Sequence, residues 1–571
     1  MYKKTMRALI GAAQDEGPVD LLVRNVKLVN VLSGEIHDAH IAVKNGVIVG
    51  FEEYEAKTVV EGKGRHCIPG LIDGHIHIES TLLSPQRFAA AAAPHGTAAV
   101  MCDPHEIANV MGAEGIEYIL HASEKLPLSV FVMMPSCVPA THMETAGATL
   151  RAEDVSDFLS RYPDRMPGLA EMMNYPGVIF RDEEVMEKLD ASRNHVIDGH
   201  APLLSGKQLN AYILGGPSSD HETSNANEAR EKLRKGMHLM IREGGSQEHN
   251  LDELITVLNE FNTQNVSFVS DDKVVNDLMD TGHMDDILRK AIAAGLPPVR
   301  AVQMASINTA RYFRLHRRGA VAPGYRADFV LLDDLETVKI AACYLAGKNV
   351  KDITFCDGGA EFCENTVHIA NLEPEALRIP EGKGNLRVIG IVPGQVITEA
   401  LEMPPKVQDG LAVADVDRDL AKMAVFERHK GTGNVGLGFS SGLGLRKGAL
   451  AGTVAHDSHN LIVAGMSDDD MLTAAQEVQR IGGGLAVACD GKVLASLPLP
   501  IAGLMSNAPV EEVLAGLHNI NEALATLGYK LSSPFAALAF LSLAVIPSLK
   551  LTDMGLVDVH KFELVPLWTE E

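Results

Sequence analysis

The sequence predicts an α/β protein: a (β/α)8 barrel of the TIM type, a small composite β-domain from both flanks of the barrel, and an additional C-terminal α+β domain. Three observations predict this arrangement. Strand-like and helical stretches alternate through the middle of the chain, β-rich segments flank that region, and the composition changes again after Pro374. With 571 residues the chain is also too long for a single hydrophobic core, so several domains are expected.

The two flanks contain short β-type runs and are each too small to bury much apolar surface alone. Residues 20–60 alternate apolar runs with turn signals, and an Asn-Gly step within them predicts a hairpin. Similar runs return at residues 319–333. We therefore expect residues 1–66 and 316–380 to form one composite β-domain that brackets the barrel.

The barrel itself is predicted over residues 67–315. Its β-like runs lie about 20–40 residues apart and each precedes a helical stretch, which is the repeat of β/α units. The predicted strands are residues 72–77, 98–103, 129–135, 168–173, 195–200, 217–221, 237–242 and 266–271. The predicted helices are residues 85–95, 112–126, 153–162, 183–193, 206–214, 227–235, 251–261 and 284–294.

The remaining residues, 381–571, predict a separate α+β domain. Gly-rich turns such as 431–448 alternate there with helical stretches at 468–480 and 510–527. The apolar run at 535–546 is too short to cross a bilayer, which takes about 20 residues per helix. It is therefore expected to be a buried helix.

Composition and charge exclude several classes of partner. The net charge of −25 at pH 7 would repel nucleic-acid backbones and anionic membranes. The 7 cysteines are scattered without a C-x-x-C pair, which is typical of reduced thiols in the cytosol. The N-terminus lacks an apolar core long enough for a signal peptide. We expect a cytoplasmic protein that binds neither nucleic acid nor membrane.

Metal-ligand side chains end most of the predicted barrel strands. The C-terminal ends of the strands form the active site of a β/α barrel, so these side chains are expected to converge. In the first strand, His75 and His77 are two residues apart and therefore point to one face. A single such histidine is more often a loop hydrogen-bonder than a ligand, but a whole set on one rim predicts a metal site. The set is His75, His77, Glu171, His200, His221 and Asp271.

The string P-G-L-I-D-G-H-I-H at residues 69–77 resembles the first barrel strand of the amidohydrolase superfamily. The I-E-S-T that follows it and the D-P-H-E-I-A-N stretch at 103–109 are most similar to the adenine deaminase branch. Further motifs at 196–202 and 218–223 also match, and the resemblance covers nearly the whole chain. It implies the same barrel, the bracketing β-domain and the extra C-terminal domain.

The resemblance also implies a binuclear site of divalent ions that share a bridging carboxylate. Many relatives carry a carboxylated lysine on strand four, and Glu171 takes its place here. Nitrogen and oxygen ligands without thiolate suit Mn²⁺ or Fe²⁺ as well as Zn²⁺, and the resemblance favours Mn²⁺. One ion would be held mainly by His75, His77 and Asp271, the other by His200 and His221.

The reaction implied is the hydrolysis of adenine to hypoxanthine and ammonia in purine salvage, by attack of metal-activated hydroxide on C6. This is a hydrolase acting on carbon–nitrogen bonds of cyclic amidines, EC 3.5.4.2. Asp271 would carry a proton from the nucleophile to the leaving amine, with a plain ligand role as the alternative. Glu171 and His221 complete the predicted catalytic set.

Other residues of the site are predicted from their position next to these ligands. We expect Asp103, His105 and Glu106 to bind the substrate; a helix N-cap and an acidic first turn are the alternative for this stretch. Supporting contacts to the ligands are expected from Glu79 and Ser80. Two further pairs are assigned either to the pocket or to ordinary structural contacts: His456 with His459, and Arg242 with Glu243 in the stretch 240–246.

Alternative functions remain open at this point. An amidohydrolase that opens a cyclic amide, such as a dihydroorotase or hydantoinase, would show Lys where Glu171 stands, and a 6-substituted purine is an alternative substrate. A catalytically inactive scaffold should have lost ligands, and a non-enzymatic metal-binding protein has no reason to keep Asp271. A homo-oligomer, a dimer, is expected because metabolic enzymes of this plan are commonly symmetric.

Overall fold

A barrel of eight parallel strands lies between two β-rich flanks in the computed structural model, which describes residues 2–244, 249–356, 365–393, 395–529, 531 and 533–569. Each barrel strand overlaps one of the predicted strands, so the predicted alternation is confirmed. The barrel strands are Leu71–Ile76, Thr97–Cys102, Ser129–Val132, Gly168–Met172, Val196–Gly199, Ser219–Asp220, His238–Arg242 and Val266–Val269.

The first and last barrel strands meet and close the barrel. Parallel pairing joins strands one to three, four to five and six to eight, and a bridge between Met134 and Leu169 links strands three and four. The backbone N–H of Asp271 donates to the carbonyl of His75 at 2.9 Å. This closing contact places two strand ends that carry predicted metal ligands side by side.

A helix follows each barrel strand on the outside. The helices at the predicted positions are Pro85–Ala92, Ala113–Ser123, Ala152–Arg161, Glu183–Ala191, Gly206–Leu214, Ala226–Arg234, Leu251–Leu254 and Met284–Ala293. Five more were not predicted: His105–Met111, Tyr175–Phe180, Val275–Asp280, Pro298–Met304 and Ile307–Tyr312.

The helix predicted over 251–261 is wrong in length. It ends at Leu254 and continues only as the 3₁₀ turn Ile255–Val257. The Asn259 side chain accepts hydrogen bonds from the backbone N–H groups of Phe261 at 2.9 Å and Asn262 at 3.1 Å. Such a side-chain turn competes with helix formation, which explains why the apolar periodicity overextended the helix.

Strands from both flanks form one eight-stranded sheet beside the barrel, as predicted for a composite β-domain. Its strands, which follow helix Tyr2–Ala13, are Val19–Asn30, Glu35–Lys44, Val47–Gly50, Ala56–Glu61, His66–Pro69, Phe329–Asp334, Lys339–Leu345 and Lys348–Asn349. Strand His66–Pro69 pairs antiparallel with Phe329–Asp334 and so joins the two flanks. The predicted domain limit at residue 67 falls inside this strand, and the domain limits remain a prediction.

The predicted hairpin is present in this sheet. Asn45 and Gly46 connect two antiparallel strands with φ values of 51° and 74°. Positive φ at both central residues matches the right-handed twist of the flanking strands, and Asn-Gly is the dipeptide that adopts it most readily.

A second eight-stranded sheet forms the core of the C-terminal region. Its strands are Leu386–Ile391, Thr398–Met403, Leu420–Phe426, Val435–Ser441, Ala449–Gly452, Leu461–Gly465, Gly484–Cys489 and Lys492–Pro498. Alternate side chains of one central strand face different layers: Ala449 and Ala451 pack with helix Asp468–Arg480, whereas Leu450 packs in the cluster that contains helix Val510–Thr526. Smaller strands are Lys406–Gln408, Leu411–Val413, Leu549–Thr552, Gly555–Asp558 and Glu563–Val565.

The buried helix predicted over 535–546 is shorter than expected. It spans Pro534–Ala539 and ends in the 3₁₀ turn Phe540–Ser542, after which the backbone of Leu543 is extended. The hydroxyl of Ser542 donates to the carbonyl of Ala539 at 2.9 Å and so supplies a side-chain partner at the helix end. None of the helices in the described ranges has the length and hydropathy needed to span a membrane.

The C-terminal region packs against the barrel at the end where the predicted ligands lie. The backbone of Ser506 exchanges hydrogen bonds with that of Leu82 and Ser84, at 2.8 and 2.9 Å, in the loop after barrel strand one. The side chain of Asn460 donates to the carbonyl of Thr145 at 2.9 Å in the loop after strand three. The C-terminal region therefore covers the active-site end of the barrel.

Candidate active site

Four of the predicted metal ligands bring their donor atoms together in one buried cluster. The Nε2 atoms of His75 and His77 are 3.1 Å apart. They lie 3.4 and 3.1 Å from Oδ1 of Asp271 and 3.7 and 3.4 Å from Oε1 of Glu171. Ligands about 2.1 Å from one ion in a tetrahedral arrangement stand roughly 3.4 Å apart, so these spacings fit a divalent ion among the four atoms.

The other two predicted ligands face the second oxygen of the same glutamate. Nδ1 of His200 lies 2.6 Å and Nε2 of His221 lies 3.2 Å from Oε2 of Glu171. The ring of His221 also stacks on that of His75, with centroids 4.1 Å apart. Glu171 therefore presents one carboxylate oxygen to each group of donors, which is the geometry of a bridging ligand.

Hydrogen bonds behind the cluster fix the first strand end. Nδ1–H of His77 donates to the carbonyl of Asp103 at 3.0 Å, so the lone pair on Nε2 faces the other donors. The buried carboxylate of Asp73 accepts from the backbone N–H of Ser270 at 3.0 Å and lies 3.0 Å from Nε2 of His283. Asp73 thus ties strand one to the end of strand eight, next to Asp271.

Backbone packing explains why glycine precedes the histidine pair. A Cβ added to Gly74 would lie 3.1 Å from the side chain of Val269 and 3.3 Å from that of Thr309. A side chain at position 74 would require Val269 and Thr309 to shift by a few tenths of an ångström, so glycine lets strand one lie close to strand eight without that shift. The D-G-H-I-H sequence is thus fitted to the barrel joint as well as to the metal donors.

Both carboxylates of the cluster are held in the ionised form. Burial acts to raise the pKa of Glu171, but the charges and hydrogen bonds of His200 and His221 lower it well below its ordinary value. Burial opposes ionisation of Asp271 as well, and Arg242, His75 and His77 lower its pKa well below the usual range. Ionised carboxylates are ligands that divalent cations require, and an ion bound here would take the place of the protons on these histidines.

Arg242 lies inside the cavity, whereas Glu243 does not line it among the described residues. The guanidinium of Arg242 donates at 2.5 Å both to Oδ2 of Asp271 and to Oε1 of Glu222. Glu243 instead pairs with Lys290 at 3.1 Å. Residues 245 and 246 of the stretch 240–246 lie outside the described residues.

The residues after strand two split between the metal donors and the C-terminal region. Nδ1 of His105 lies 3.3 Å from Oδ2 of Asp103 and 3.7 Å from Oε1 of Glu171. Burial acts to lower the pKa of His105, but Asp103 and Asp457 raise it well above its ordinary value. His105 and Glu106 occupy the first turn of helix His105–Met111 and also line the cavity, so the acidic first turn is present. The expected side-chain N-cap is not, because Pro104 stands at that position.

Glu106 lines the cavity and contacts two histidines of the C-terminal region. Its Oε1 lies 3.3 Å from Nδ1 of His456, and its Oε2 lies 3.9 Å from Nε2 of His459. Burial acts to raise the pKa of Glu106, but these two histidines lower it far below the ordinary value. His456 therefore lines the cavity, and both histidines form part of the contact between the barrel and the C-terminal region.

The two residues expected to support the ligands have separate partners. Oε1 of Glu79 accepts from the backbone N–H of Ile107 at 3.2 Å, at the start of the helix after strand two. The hydroxyl of Ser80 donates to Oδ1 of Asp272 at 2.5 Å and to Glu106 at 3.3 Å. These hydrogen bonds hold residues at the rim of the cavity, and none of them is made to a metal donor.

Three carboxylates of the site were missed by sequence reasoning. Glu222 lies with Oε1 at 3.6 Å from Nε2 of His221, and Asp272 and Asp457 line the same cavity. The signal for the first two is adjacency, because each directly follows a predicted strand-end ligand. Asp457 likewise directly follows His456, which the sequence assigns either to the pocket or to structural contacts.

The cavity above the donors is polar at its base and apolar at its sides. The polar part of the lining includes five predicted donors, His77, Glu171, His200, His221 and Asp271, but not His75. The apolar part includes Val454, Phe535 and Phe540 from the C-terminal region. Apolar walls with a few convergent polar groups are typical of sites for small planar ligands.

Comparison with known proteins shows the family of the chain. Residues 67–360 match the sequence model described as Amidohydrolase family, and residues 395–563 match that described as Adenine deaminase C-terminal domain. Over 569 residues the chain is 84% identical to an adenine deaminase of Oleidesulfovibrio alaskensis, with 100% of each chain covered. It is 46% identical over 570 residues to adenine deaminase 2 of Carboxydothermus hydrogenoformans, covering 99% of this chain and 100% of that one.

Among solved structures, an adenosine deaminase from Xanthomonas campestris with bound zinc is also similar. The TM-score is 0.44 at 14% identity, over 58% of this chain and 93% of that chain.

The barrel, the converging donors and the match over residues 67–360 define a metal-dependent hydrolase of the amidohydrolase class. Within that class the chain belongs to the adenine deaminase family, hydrolases of carbon–nitrogen bonds with the classification EC 3.5.4.2. The predicted family is thereby confirmed, and the family implies a divalent metal. The rival from the dihydroorotase and hydantoinase group loses its support.

Proposed function

We propose that this chain hydrolyses adenine to hypoxanthine and ammonia at a binuclear metal site bridged by Glu171. The observation that carries the proposal is the division of its two oxygens. Oε1 faces the strand-one histidines and Oε2 lies 2.6 Å from His200. A carboxylate shared in this way supports two ions without a modified lysine.

The donor set fits such ions. His75, His77 and Asp271 would hold one ion, His200 and His221 the other, and Glu171 both. Nitrogen and oxygen donors without thiolate suit Mn²⁺, which we propose, with Fe²⁺ and Zn²⁺ as alternatives. When bound, such ions act as Lewis acids and lower the pKa of water so that hydroxide is available near neutral pH.

Asp271 is proposed as the proton carrier of the reaction. Its Oδ1 faces the histidines and its Oδ2 accepts from Arg242, which holds the side chain in place and in the ionised form. An ionised carboxylate at this position can accept the proton of the nucleophile as it adds to C6. The same group returns the proton to the exocyclic nitrogen, which leaves as ammonia.

Recognition of the purine is proposed for the residues after strand two. Asp103, His105 and Glu106 are buried, and the last two line the cavity beside the metal donors. Carboxylates and an imidazole can pair with ring nitrogens and N–H groups of adenine. His221, stacked on His75 and next to Glu171, is proposed to complete the catalytic set.

The setting of the reaction is proposed on the following grounds. Conversion of a free base to hypoxanthine is a step of purine salvage. The described cysteines are free, which suits the cytoplasm, while Cys363 lies outside the described residues.

A homodimer is proposed because Phe180 and Leu214, on helices that contact each other, are 75% and 87% exposed. Sedimentation analysis of the purified chain tests the dimer.

A substrate panel tests the proposed function. Protein reloaded with Mn²⁺ is incubated with adenine, with a 6-substituted purine such as 6-chloropurine, and with a cyclic amide such as hydantoin. We expect ammonia and hypoxanthine from adenine and no opening of hydantoin. Opening of the cyclic amide without turnover of adenine would contradict the proposal.

A further inference from the structure

We propose that Asp457, contributed by the C-terminal region, is a specificity-determining residue that accepts a hydrogen bond from the five-membered ring of the substrate. Through this contact it would select the free purine base over a nucleoside. The inference rests on the proposed adenine deaminase activity and deepens it, because it assigns the end of the substrate that lies away from the metals.

Asp457 has an unused acceptor inside the cavity. It lines the same cavity as the metal donors and is only 2% exposed. Its Oδ2 atom is buried and has no hydrogen-bond partner among the described residues. Leaving a buried carboxylate oxygen unpaired is costly, so such an atom in a ligand cavity points to a donor on the ligand.

The position of Asp457 places this acceptor on the far side of His105 from the metal donors. One ring nitrogen of His105, Nδ1, lies 3.7 Å from Oε1 of Glu171, and the other, Nε2, lies 3.7 Å from Oδ1 of Asp457. A substrate whose C6 lies at the metal donors must extend its other ring away from them. Asp457 is therefore placed for the opposite end of the purine.

The chain holds this loop firmly against the cavity. The fully buried guanidinium of Arg428 donates to the carbonyls of His459 and Ala502, the latter at 2.9 Å. Asn460 donates to Thr145 of the barrel at 2.9 Å. Because the loop is fixed on both sides, Asp457 is pre-positioned before a ligand arrives.

A further metal ion does not explain the polar groups of this loop. The backbone N–H of Ala455 donates to Nδ1 of His459 at 3.2 Å. Nδ1 is therefore the unprotonated nitrogen, and Nε2 carries the proton of the neutral ring. Since a metal needs a lone pair on Nε2, the group of Glu106, His456 and His459 is not suited to hold an ion.

Adenine has one donor that fits the unused acceptor. Its neutral tautomers carry a single N–H on the five-membered ring, at N9 or N7, and N9 bears the sugar in a nucleoside. An ionised carboxylate accepts hydrogen bonds only. A base with a substituent at N9 therefore cannot satisfy Oδ2 of Asp457 through N9 and brings a bulky group to a buried wall.

The test compares adenine with 9-methyladenine as substrates of the Mn²⁺-loaded chain. Wild type, Asp457→Ala and Asp457→Asn are assayed beside the control His518→Ala, which alters an exposed residue of helix Val510–Thr526 outside the cavity lining. Metal content and melting temperature identify any variant that has lost its fold. The measured quantity is the ratio of kcat/KM for adenine to that for 9-methyladenine.

We expect wild type and His518→Ala to share a high ratio. Asp457→Ala should lower it by about 10- to 100-fold through kcat/KM for adenine, the effect of losing a hydrogen bond to a charged group. Asp457→Asn, whose amide oxygen still accepts but carries no charge, should lower it less. An equal loss on both substrates, or an unchanged ratio, would overturn the proposal. A wild-type chain that accepts 9-methyladenine as well as adenine would also overturn it. A wild type that leaves adenine untouched would refute the proposed function itself.

Discussion

The guanidinium of Arg242, at the end of barrel strand seven, donates to Oδ2 of Asp271, at the end of strand eight, at 2.5 Å. The same nitrogen lies 2.5 Å from Oε1 of Glu222. One buried cation thus links a carboxylate at each group of metal donors. It leaves Oδ1 of Asp271 directed at the strand-one histidines.

Replacement of Arg242 by Met should therefore lower kcat more than it changes KM for adenine. The change leaves two buried carboxylates without their partner, which costs about 3–5 kcal/mol, and it frees Asp271 to rotate. Steady-state kinetics with the Mn²⁺-loaded variant measure the effect. Arg242→Lys, which keeps the charge and loses the planar fork, should have a kcat between those of wild type and Arg242→Met. A variant with wild-type kcat would contradict the positioning role.

Lys232 holds in place the chain segments that carry the metal donors His200 and His221. Its ammonium is fully buried and donates to Asp220 at 2.9 Å, to Glu228 at 2.6 Å and to the carbonyl of Ala201 at 2.7 Å. Asp220 directly precedes His221, and Ala201 directly follows His200. One lysine therefore ties together the chain ends that carry both histidines.

The variant Lys232→Met should be destabilised by about 3–5 kcal/mol, because two buried carboxylates lose their cation. It should also bind less metal at the position proposed for His200 and His221. Lys235→Met, directly after the same helix, is the matched control, since its ion pair with Glu231 at 2.7 Å is partly exposed and is worth roughly 0.3–0.5 kcal/mol. Denaturant unfolding and metal analysis measure both effects. Equal stability of the two variants would refute this account.

His238 should make the chain less stable in acid. Its buried ring stacks on Tyr312 with centroids 4.4 Å apart, and burial lowers its pKa to about 3. Between that value and the ordinary pKa of 6.5 the unfolded chain binds a proton that the folded chain excludes. The contribution of His238 to the free energy of unfolding is therefore fully present above pH 6.5. It is lost as the pH falls toward 3, by about 1.4 kcal/mol per pH unit.

The variant His238→Gln removes the imidazole and so isolates its contribution to the pH dependence of unfolding. We expect a flatter pH dependence of unfolding for it between pH 6.5 and 4, measured by denaturant titration at each pH. His518→Gln, at a side chain 71% exposed, should keep the wild-type slope. Parallel curves for His238→Gln and wild type would show that the buried ring is not the source.

Much of the fold was predictable because its signals are local. Each barrel strand is a short apolar run followed by a helix, and the ends of five strands carry His, Asp or Glu. The hairpin at Asn45 and Gly46 follows from the φ values that those residues accept. The prediction of a helix over 251–261 was wrong in length because the side chain of Asn259 outcompetes helical hydrogen bonding there.

The contacts that complete the site were not predictable from local pattern. His456 meets Glu106 across 350 positions of sequence separation, and no periodicity records such a pairing. The bifurcated contact of Arg242 likewise depends on the barrel joint between strands seven and eight. The sequence thus indicated which residues gather at the rim, whereas their partners follow from tertiary packing. The roles of the individual ligands remain predictions.

The bridging role of Glu171 is tested most directly by metal content and ammonia release in one experiment. Metal-free wild type and Glu171→Gln are reloaded with Mn²⁺ under identical conditions, and bound metal per chain is measured beside turnover of adenine. We predict two ions and hypoxanthine formation for wild type, and loss of the second ion together with activity for the variant. Retention of two ions and of wild-type turnover by Glu171→Gln would contradict the account.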